Sequence, residues 1–451
     1  MQVVKITITC GGRMTARFYV GVDVGTTGTK AVVFDEELRI AAMRRVATPW
    51  RTVATGAETD PLDLLEAAKV AIHGAIDAAP AGEVAALGVA GLAESGVLLD
   101  RAGRPVAPVI AWHDRRDDAQ LADLVRCVGE SRFAAMTGLP LRQQWSLTKH
   151  RWLLDNQHSA RTAVRRLNVP EWIVRGLGGD EVSEYSLASR TGWLSLQDRA
   201  WWTDGLEWSG ADTSLLPELV PSGTPAGVAS DVLPAARGAV LTVAGHDHQV
   251  AAIGADAVGV GDELDSCGTA EALVRSTGPG LPTPEVLSLT ARGITVGWHA
   301  APDRWCLLGA TQGGLVLQRI LGMLGISEDQ RPALERRSAE LGHPRVRVIA
   351  PPFGDLDIVG VDDDCEPADV WWAAVSTVTD QIGMIHDAMN SAAGHHSRIV
   401  VTGGWANSHS FLEAKVRRLG PVIRTEVDEA GARGAATAAM MAWRTHRGTG
   451  A

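Results

Sequence analysis

Cysteine is scarce in this chain. Its five residues, Cys10, Cys127, Cys267, Cys306 and Cys365, are scattered, odd in number and never spaced as C-x-x-C. That pattern excludes a disulfide framework and a zinc ribbon, and it fits a reducing cytoplasm. Long apolar runs are missing too. No segment offers the ~18 uninterrupted apolar residues of a membrane span, and no apolar stretch with a cleavage site opens the sequence, so neither insertion nor export is expected. Positive charge is not in excess: the formal net charge is −11 at pH 7. A general nucleic-acid binder needs a basic surface, and Arg115-Arg116 and Arg417-Arg418 are too sparse to make one; they read as solvated helix faces. A Walker loop is also absent, because Thr29 separates Gly28 from Lys30 where that motif needs Gly-Lys adjacent.

What the chain does have is length and apolar mass. Its 451 residues, 45% of them hydrophobic, can supply two or three domains, each with a substantial core. Residues 1–16 read as a mis-started leader, since Met14 stands just before the first strand. The order strand, strand, strand, helix, strand follows. Asp60 is the expected N-cap and Pro61 the first position of a helix with Leu64, Leu65, Ala68, Ile72 and Ile76 on its apolar side. Residues 84–90 then read as a buried strand. Between 210 and 238 the chain turns rich in Pro, Gly, Ser and Ala without periodicity, so a domain change is set near residue 240. The expected division is 17–240, 241–445 and a tail of 446–451. The second part repeats the alternation, with hairpins across 261–275 and 293–309, helices in 311–341 and 367–393, a strand at 398–402 and a final helix from about Gly431. Such alternation predicts a mixed α/β sheet in each half.

The chemistry concentrates in a few turns. In 18–34, two apolar runs flank Asp23-Val24-Gly25-Thr26-Thr27-Gly28-Thr29-Lys30. Gly25 and Gly28 allow a tight turn that presents N–H donors to an anion, and the threonine hydroxyls add more. Asp23 cannot itself welcome a phosphate; a hydrated Mg²⁺ brought by a nucleotide is its natural partner. An ordinary acidic turn is the plain alternative, but a second Gly-Thr hairpin at Gly268-Thr269 implies two similar domains facing one ligand. Asp247, at a strand-to-helix junction in the sequence Gly245-His246-Asp247-His248, could take the proton of a hydroxyl that attacks a terminal phosphate, or simply cap the helix. His246 and His248 lack a nearby third ligand, so a metal site there is not expected. Glu94 could hold a pair of sugar hydroxyls. Trp112 could pack on the apolar face of a polyol, or within the core. Gly403, Gly404 and Asn407, after an apolar strand, would let a flat base lie on the backbone, with the small-residue start of the last helix after Glu429 packing opposite.

In this order the segments resemble the FGGY carbohydrate kinases of the actin, hexokinase and Hsp70 superfamily, from about residue 18 to 443. The stretch 144–152 is similar to a family signature, with Gln144 and His150 departing from its usual residue types. The resemblance implies two ribonuclease-H-like (actin-like ATPase) domains that close an interdomain cleft over MgATP and a small sugar, ketose or polyol. It implies Asp247 as general base and substrate contact, and Asp23 as the acid that holds Mg²⁺ through water. Thr26, Thr27, Lys30, Gly268 and Thr269 would lie near the ATP phosphates, Gly403, Gly404 and Asn407 beside adenosine, and Glu94 and Trp112 beside the acceptor. A homodimer is compatible with it. Two departures bear on substrate: Ala93 stands where glycerol kinases carry arginine before the glutamate, and Ala93-Glu94 replaces the Met-His pair of xylulokinases. The segment 353–374 lacks the family's arginine-glycine stretch and offers Asp362-Asp363-Asp364 and Trp371-Trp372 instead. A non-catalytic nucleotide or sugar sensor is the contrasting expectation, and an Hsp70-like ATPase a third.

Overall fold

The computed structural model describes residues 16–341, 343–351 and 355–448. The expected leader, apart from residue 16, lies outside them, as do Phe353 and the end of the expected tail. Two sheets organise the chain. In the first, the strand order is Val240–His246, Glu83–Gly91, Arg17–Val24, Gly28–Phe34, Ile40–Ala47. The last three run antiparallel, whereas Glu83–Gly91 lies parallel to Arg17–Val24 and Val240–His246 parallel to Glu83–Gly91. The second sheet repeats this pattern with Trp305–Thr311, Glu271–Thr277, Asp262–Cys267, Arg398–Thr402 and Val422–Arg424, and adds Thr295–Trp298 at its edge.

The central strand of the first sheet shows why the sequence reads as nearly continuous apolar residues there. Alternate side chains serve opposite faces. Val20, Val22 and Val24 join a core with Leu64, Ala68 and Ile72 of the helix Pro61–Ala78. Tyr19 faces the other way, onto Ala432, Ala436 and Ala439 of the C-terminal helix Ala430–Gly448. That helix approaches to backbone contact: a Cβ on Gly21 would lie 1.8 Å from the Ala432 carbonyl oxygen. Asp60 caps Pro61–Ala78 through the Leu62 N–H at 2.8 Å, as its residue type demands.

The strand beginning at the expected boundary, Val240–His246, closes the first sheet, because its backbone pairs in parallel with the free edge of Glu83–Gly91 and its residues are all buried. The helix Asp247–Gly254 then leads toward the second sheet. It crosses Ala430–Gly448 at close range, with a Cβ on Gly434 falling 1.9 Å from the Val250 carbonyl oxygen. Two helices of small residues therefore join the lobes. A satellite core of Leu124, Phe133, Trp145, Trp193 and Trp202 supports the part of the first lobe that carries Gln144 and Arg190. Among the described residues no helix is long and apolar enough to cross a membrane.

Candidate active site

At the end of Arg17–Val24, Asp23 stands opposite Lys30 in the hairpin register. Its Oδ1 is buried without a hydrogen-bond partner. Burial, then the nearby Asp247 carboxylate, pushes its carboxyl up to about 7 against the pull of Lys30. Lys30 turns instead to Glu429, 2.7 Å away, just before the C-terminal helix. Glu429 holds φ +55°, and Gly431 follows so closely that a Cβ there would meet Asp23 Oδ2 at 2.7 Å. The turn closes on itself, the Gly25 N–H donating to the Gly28 carbonyl at 3.1 Å, and is braced from outside where the Thr26 carbonyl accepts the Trp50 indole N–H at 2.8 Å.

Asp247 reaches the same place from the other side of the sheet. Val240–His246 breaks register between Val243 and Gly245. Gly245 has φ +121°, and a Cβ on it would sit 2.5 Å from Ser186 Oγ, so only glycine fits this kink. The kink turns the chain and delivers Asp247 to the first position of the next helix. Its Oδ1 accepts the His248 N–H at 2.6 Å and lies 3.2 Å from His246 Nε2. Burial works to raise its pKa, but His248, through its side chain and its N–H, and Arg190 pull it below the ordinary carboxylate value. His246 is pushed down to about 3, chiefly by burial, and is neutral. Asp247 is thus ionised and open to accept a proton.

Glu94 is buried, with φ +64°. Its Oε1 accepts from Gln144 Nε2 at 3.0 Å and from Arg190 Nε at 2.8 Å, while Arg190 Nη1 reaches Thr295 of the second lobe at 2.8 Å. Trp112 is drawn to the phosphate-type turn: its indole N–H donates to Thr26 Oγ1 at 3.2 Å.

On the second lobe, Gly268 and Thr269 form the turn between Asp262–Cys267 and Glu271–Thr277. The helix Gly313–Leu324 starts against it, with the Leu315 N–H donating to the Thr269 carbonyl at 2.9 Å. Gly403, at φ +95°, lies on the Cys267 backbone, where a Cβ would be 2.5 Å from the carbonyl oxygen. The face of Gly404 is open, with nothing within 4 Å of a Cβ there. Asn407 closes this turn onto the Gly404 carbonyl at 3.3 Å and accepts from Arg424 at 2.5 Å. The residues singled out in the sequence therefore gather in two groups: Asp23, Thr26, Thr27, Lys30, Trp112 and Asp247 on the first lobe, with Glu94 joined to them through Arg190, and Gly268, Thr269, Gly403, Gly404 and Asn407 on the second.

Models of the N-terminal and C-terminal domains of the FGGY family of carbohydrate kinases match residues 18–254 and 342–443. The chain belongs to this family. A glycerol kinase of Thermus brockianus is 31% identical, over 94% of this chain and 89% of that protein. Glycerol kinase of Plasmodium falciparum with ADP shares the fold at TM-score 0.86 and 19% identity, covering 96% of this chain and 91% of its own. A xyloylose kinase from Brucella ovis gives TM-score 0.84 at 24% identity, covering 95% and 91%. The protein is accordingly a carbohydrate kinase, a phosphotransferase with an alcohol group as acceptor, of the two-domain actin-like ATPase fold, and it uses ATP.

Three residues bonded to those expected from the sequence carry no local signal that would mark them. Arg190 lies 96 positions from Glu94, so no local pattern connects them. Gln144 stood out only as a departure from the signature. Glu429 was read as a helix start, with nothing to reveal that it takes Lys30.

Proposed function

We propose that Asp247 is the general base of this kinase, and that Asp23 holds Mg²⁺ through water on the nucleotide side of the cleft. The observation that carries this is the pair itself: an ionised Asp247 beside an Asp23 whose buried Oδ1 has no hydrogen-bond partner among the described residues. An unpartnered buried carboxylate oxygen suits a hydrated cation. Mg²⁺ would neutralise charge on the ATP phosphates and on Asp23. Thr26, Thr27, Lys30, Gly268 and Thr269 hold those phosphates, while Gly403, Gly404 and Asn407 border adenosine, with the open face of Gly404 available to the base.

The acceptor is a small sugar, ketose or polyol, held by Glu94 and Trp112. Its hydroxyl oxygen bonds to the terminal phosphorus as the bond from that phosphorus to the ADP oxygen breaks, and Asp247 receives the hydroxyl proton. Little covalent help is needed, so positioning and charge neutralisation dominate. Closure of the lobes keeps water from competing for the phosphoryl group.

The test is ADP release with MgATP over a panel of alditols, aldoses, ketoses and sugar acids. Asp247→Asn should lower kcat by about 10³-fold, the scale of general-base loss, while ATP still binds. Retained turnover would remove Asp247 from this role. Tight binding of a sugar without turnover by the unaltered protein would favour a sensor.

A further inference from the structure

Beside Glu94 lies an arginine that the reaction as described does not use. Arg142 is held at two points. Its Nε donates to Gln144 Oε1 at 2.8 Å, and Nη1 approaches the Gly293 carbonyl of the second lobe at 3.5 Å. Its guanidinium also lies 5.2 Å from the centre of the Trp145 ring. Among the described residues it forms no ion pair. The acid near enough to act on it, Glu94, has its Oε1 bonded to Arg190 and Gln144. The loop facing it, Arg292-Gly293-Ile294-Thr295, has no acidic residue to offer as the lobes approach.

Two guanidinium groups therefore face one carboxylate, and Arg190 is the one bonded to it. Burial, then the neighbouring Arg190, lowers Arg142 to about 10, still charged at neutral pH. A cation largely removed from water and left without an anion is unfavourable, and a site retains such an arrangement when a ligand supplies the counter-charge. Gln144 links the two places, donating to Glu94 Oε1 and accepting from Arg142 Nε, and Arg190, bonded to the same Glu94, acts electrostatically on both Arg142 and Asp247. An acceptor running from Asp247 past Glu94 and Gln144 would end at Arg142.

We propose that Arg142 anchors a carboxylate on the acceptor, making this kinase selective for a linear sugar acid, an aldonate, over neutral polyols and ketoses. The inference rests on the acceptor position given under Proposed function. The planar fork of arginine pairs a carboxylate through two parallel hydrogen bonds, which a hydroxyl cannot match.

The test compares tetronates, pentonates and hexonates with the alditol of the same configuration, using the full-length protein and MgATP. At least one aldonate should exceed its alditol in kcat/KM by on the order of 100-fold, the scale of a charged bidentate hydrogen bond. Arg142→Gln should remove that advantage mainly through KM, leaving kcat/KM for the alditol within about 3-fold. Arg142→Lys should retain part of it. The unaltered protein should discriminate against the aldonamide of the preferred acid, which keeps the shape and loses the charge, so the inference can be tested even if Arg142→Gln fails to fold. A neutral polyol or ketose as best substrate, or an equal loss for acid and alditol in Arg142→Gln, would overturn the inference while leaving the kinase reading intact. Absence of turnover with every acceptor would instead count against the acceptor position. In that event calorimetry with a non-hydrolysable ATP analogue decides: aldonate binding lost in Arg142→Gln supports the anion site, and no aldonate binding overturns it.

Discussion

Asp23 and Asp265 each stand on the first strand of a hairpin whose turn is Gly-Thr, in sheets of the same strand order, yet their surroundings differ. Asp265 is fully buried and bonded to Lys415 of the helix His409–Leu419, which also bonds Glu271 on the returning strand. Asp23 has an unpartnered oxygen, and Lys30 opposite it leans away to Glu429. The wider lobes repeat the contrast. Glu263 in the second is held by Arg275 and His386. Glu184 in the first, beneath the kink that aims Asp247, has no ion-pair partner among the described residues. One hairpin is fastened by internal charge, and the other keeps its charge available to a ligand. The same topology thus serves as scaffold on one side of the cleft and as reactive surface on the other.

The largest expected effect breaks the fastened hairpin. Lys415→Met leaves two buried carboxylates without their cation and should lower stability by ~3–5 kcal/mol, the cost of breaking a buried ion pair from one side. Lys30→Met in the first lobe removes a pair whose side chains keep 28% and 22% of their exposure, and should cost less than about 1 kcal/mol. Denaturant melts of the two variants measure the contrast directly. Equal losses would mean that the hairpins are held alike. Adding Asp265→Asn and Glu271→Gln to Lys415→Met should recover much of the loss, since no uncompensated charge remains.

These long-range pairs mark what the sequence could not reveal. Both Gly-Thr turns, the Asp60 cap, the strand at Arg398–Thr402 and the junction at Asp247 were legible because each is written in neighbouring residues: apolar alternation, a glycine, an acid at a helix start. Lys415 was not, because its partners lie 150 and 144 positions away. The last helix was expected at the right place, but its docking on the first sheet depends on Gly21 in a strand hundreds of residues earlier. The meeting of Asp23 with Asp247 was implied only by family resemblance. Local pattern carries secondary structure, whereas charge pairing across a sheet is a property of the assembled lobe.

A smaller effect sharpens the reactive side. Asp23→Asn should lower kcat by about 10²-fold and raise the Mg²⁺ concentration needed for half-maximal rate, on the scale of losing one positioned charge in phosphoryl transfer. Melting of the ligand-free protein should hold steady or rise, because an unpartnered, desolvated carboxylate does not stabilise the fold. Asp265→Asn should do the reverse to stability, because it weakens the bond to Lys415. A fall in ligand-free melting for Asp23→Asn equal to that of Asp265→Asn would erase the distinction between the two acids.

The smallest effect is a pH dependence confined to the first lobe. Burial pushes Glu184 up to about 7, although the Ser186 hydroxyl and the Ser186 and Leu187 N–H groups pull it down. Its folded-state pKa therefore exceeds the ordinary value of 4.5. Between those values the folded protein still binds a proton that the unfolded chain has released, so this residue withdraws stability as pH rises through that window, and the loss levels off above it. Glu184→Gln keeps an oxygen to cap Ser186 and Leu187 but cannot ionise. Its stability relative to the parent should rise between pH 4.5 and pH 8 by at most about 3 kcal/mol, the linkage of a pKa moved from 4.5 to about 7, while any difference between the two caps adds the same offset at every pH. A difference that stays constant with pH would show that Glu184 is already compensated, and that the first lobe is as internally paired as the second.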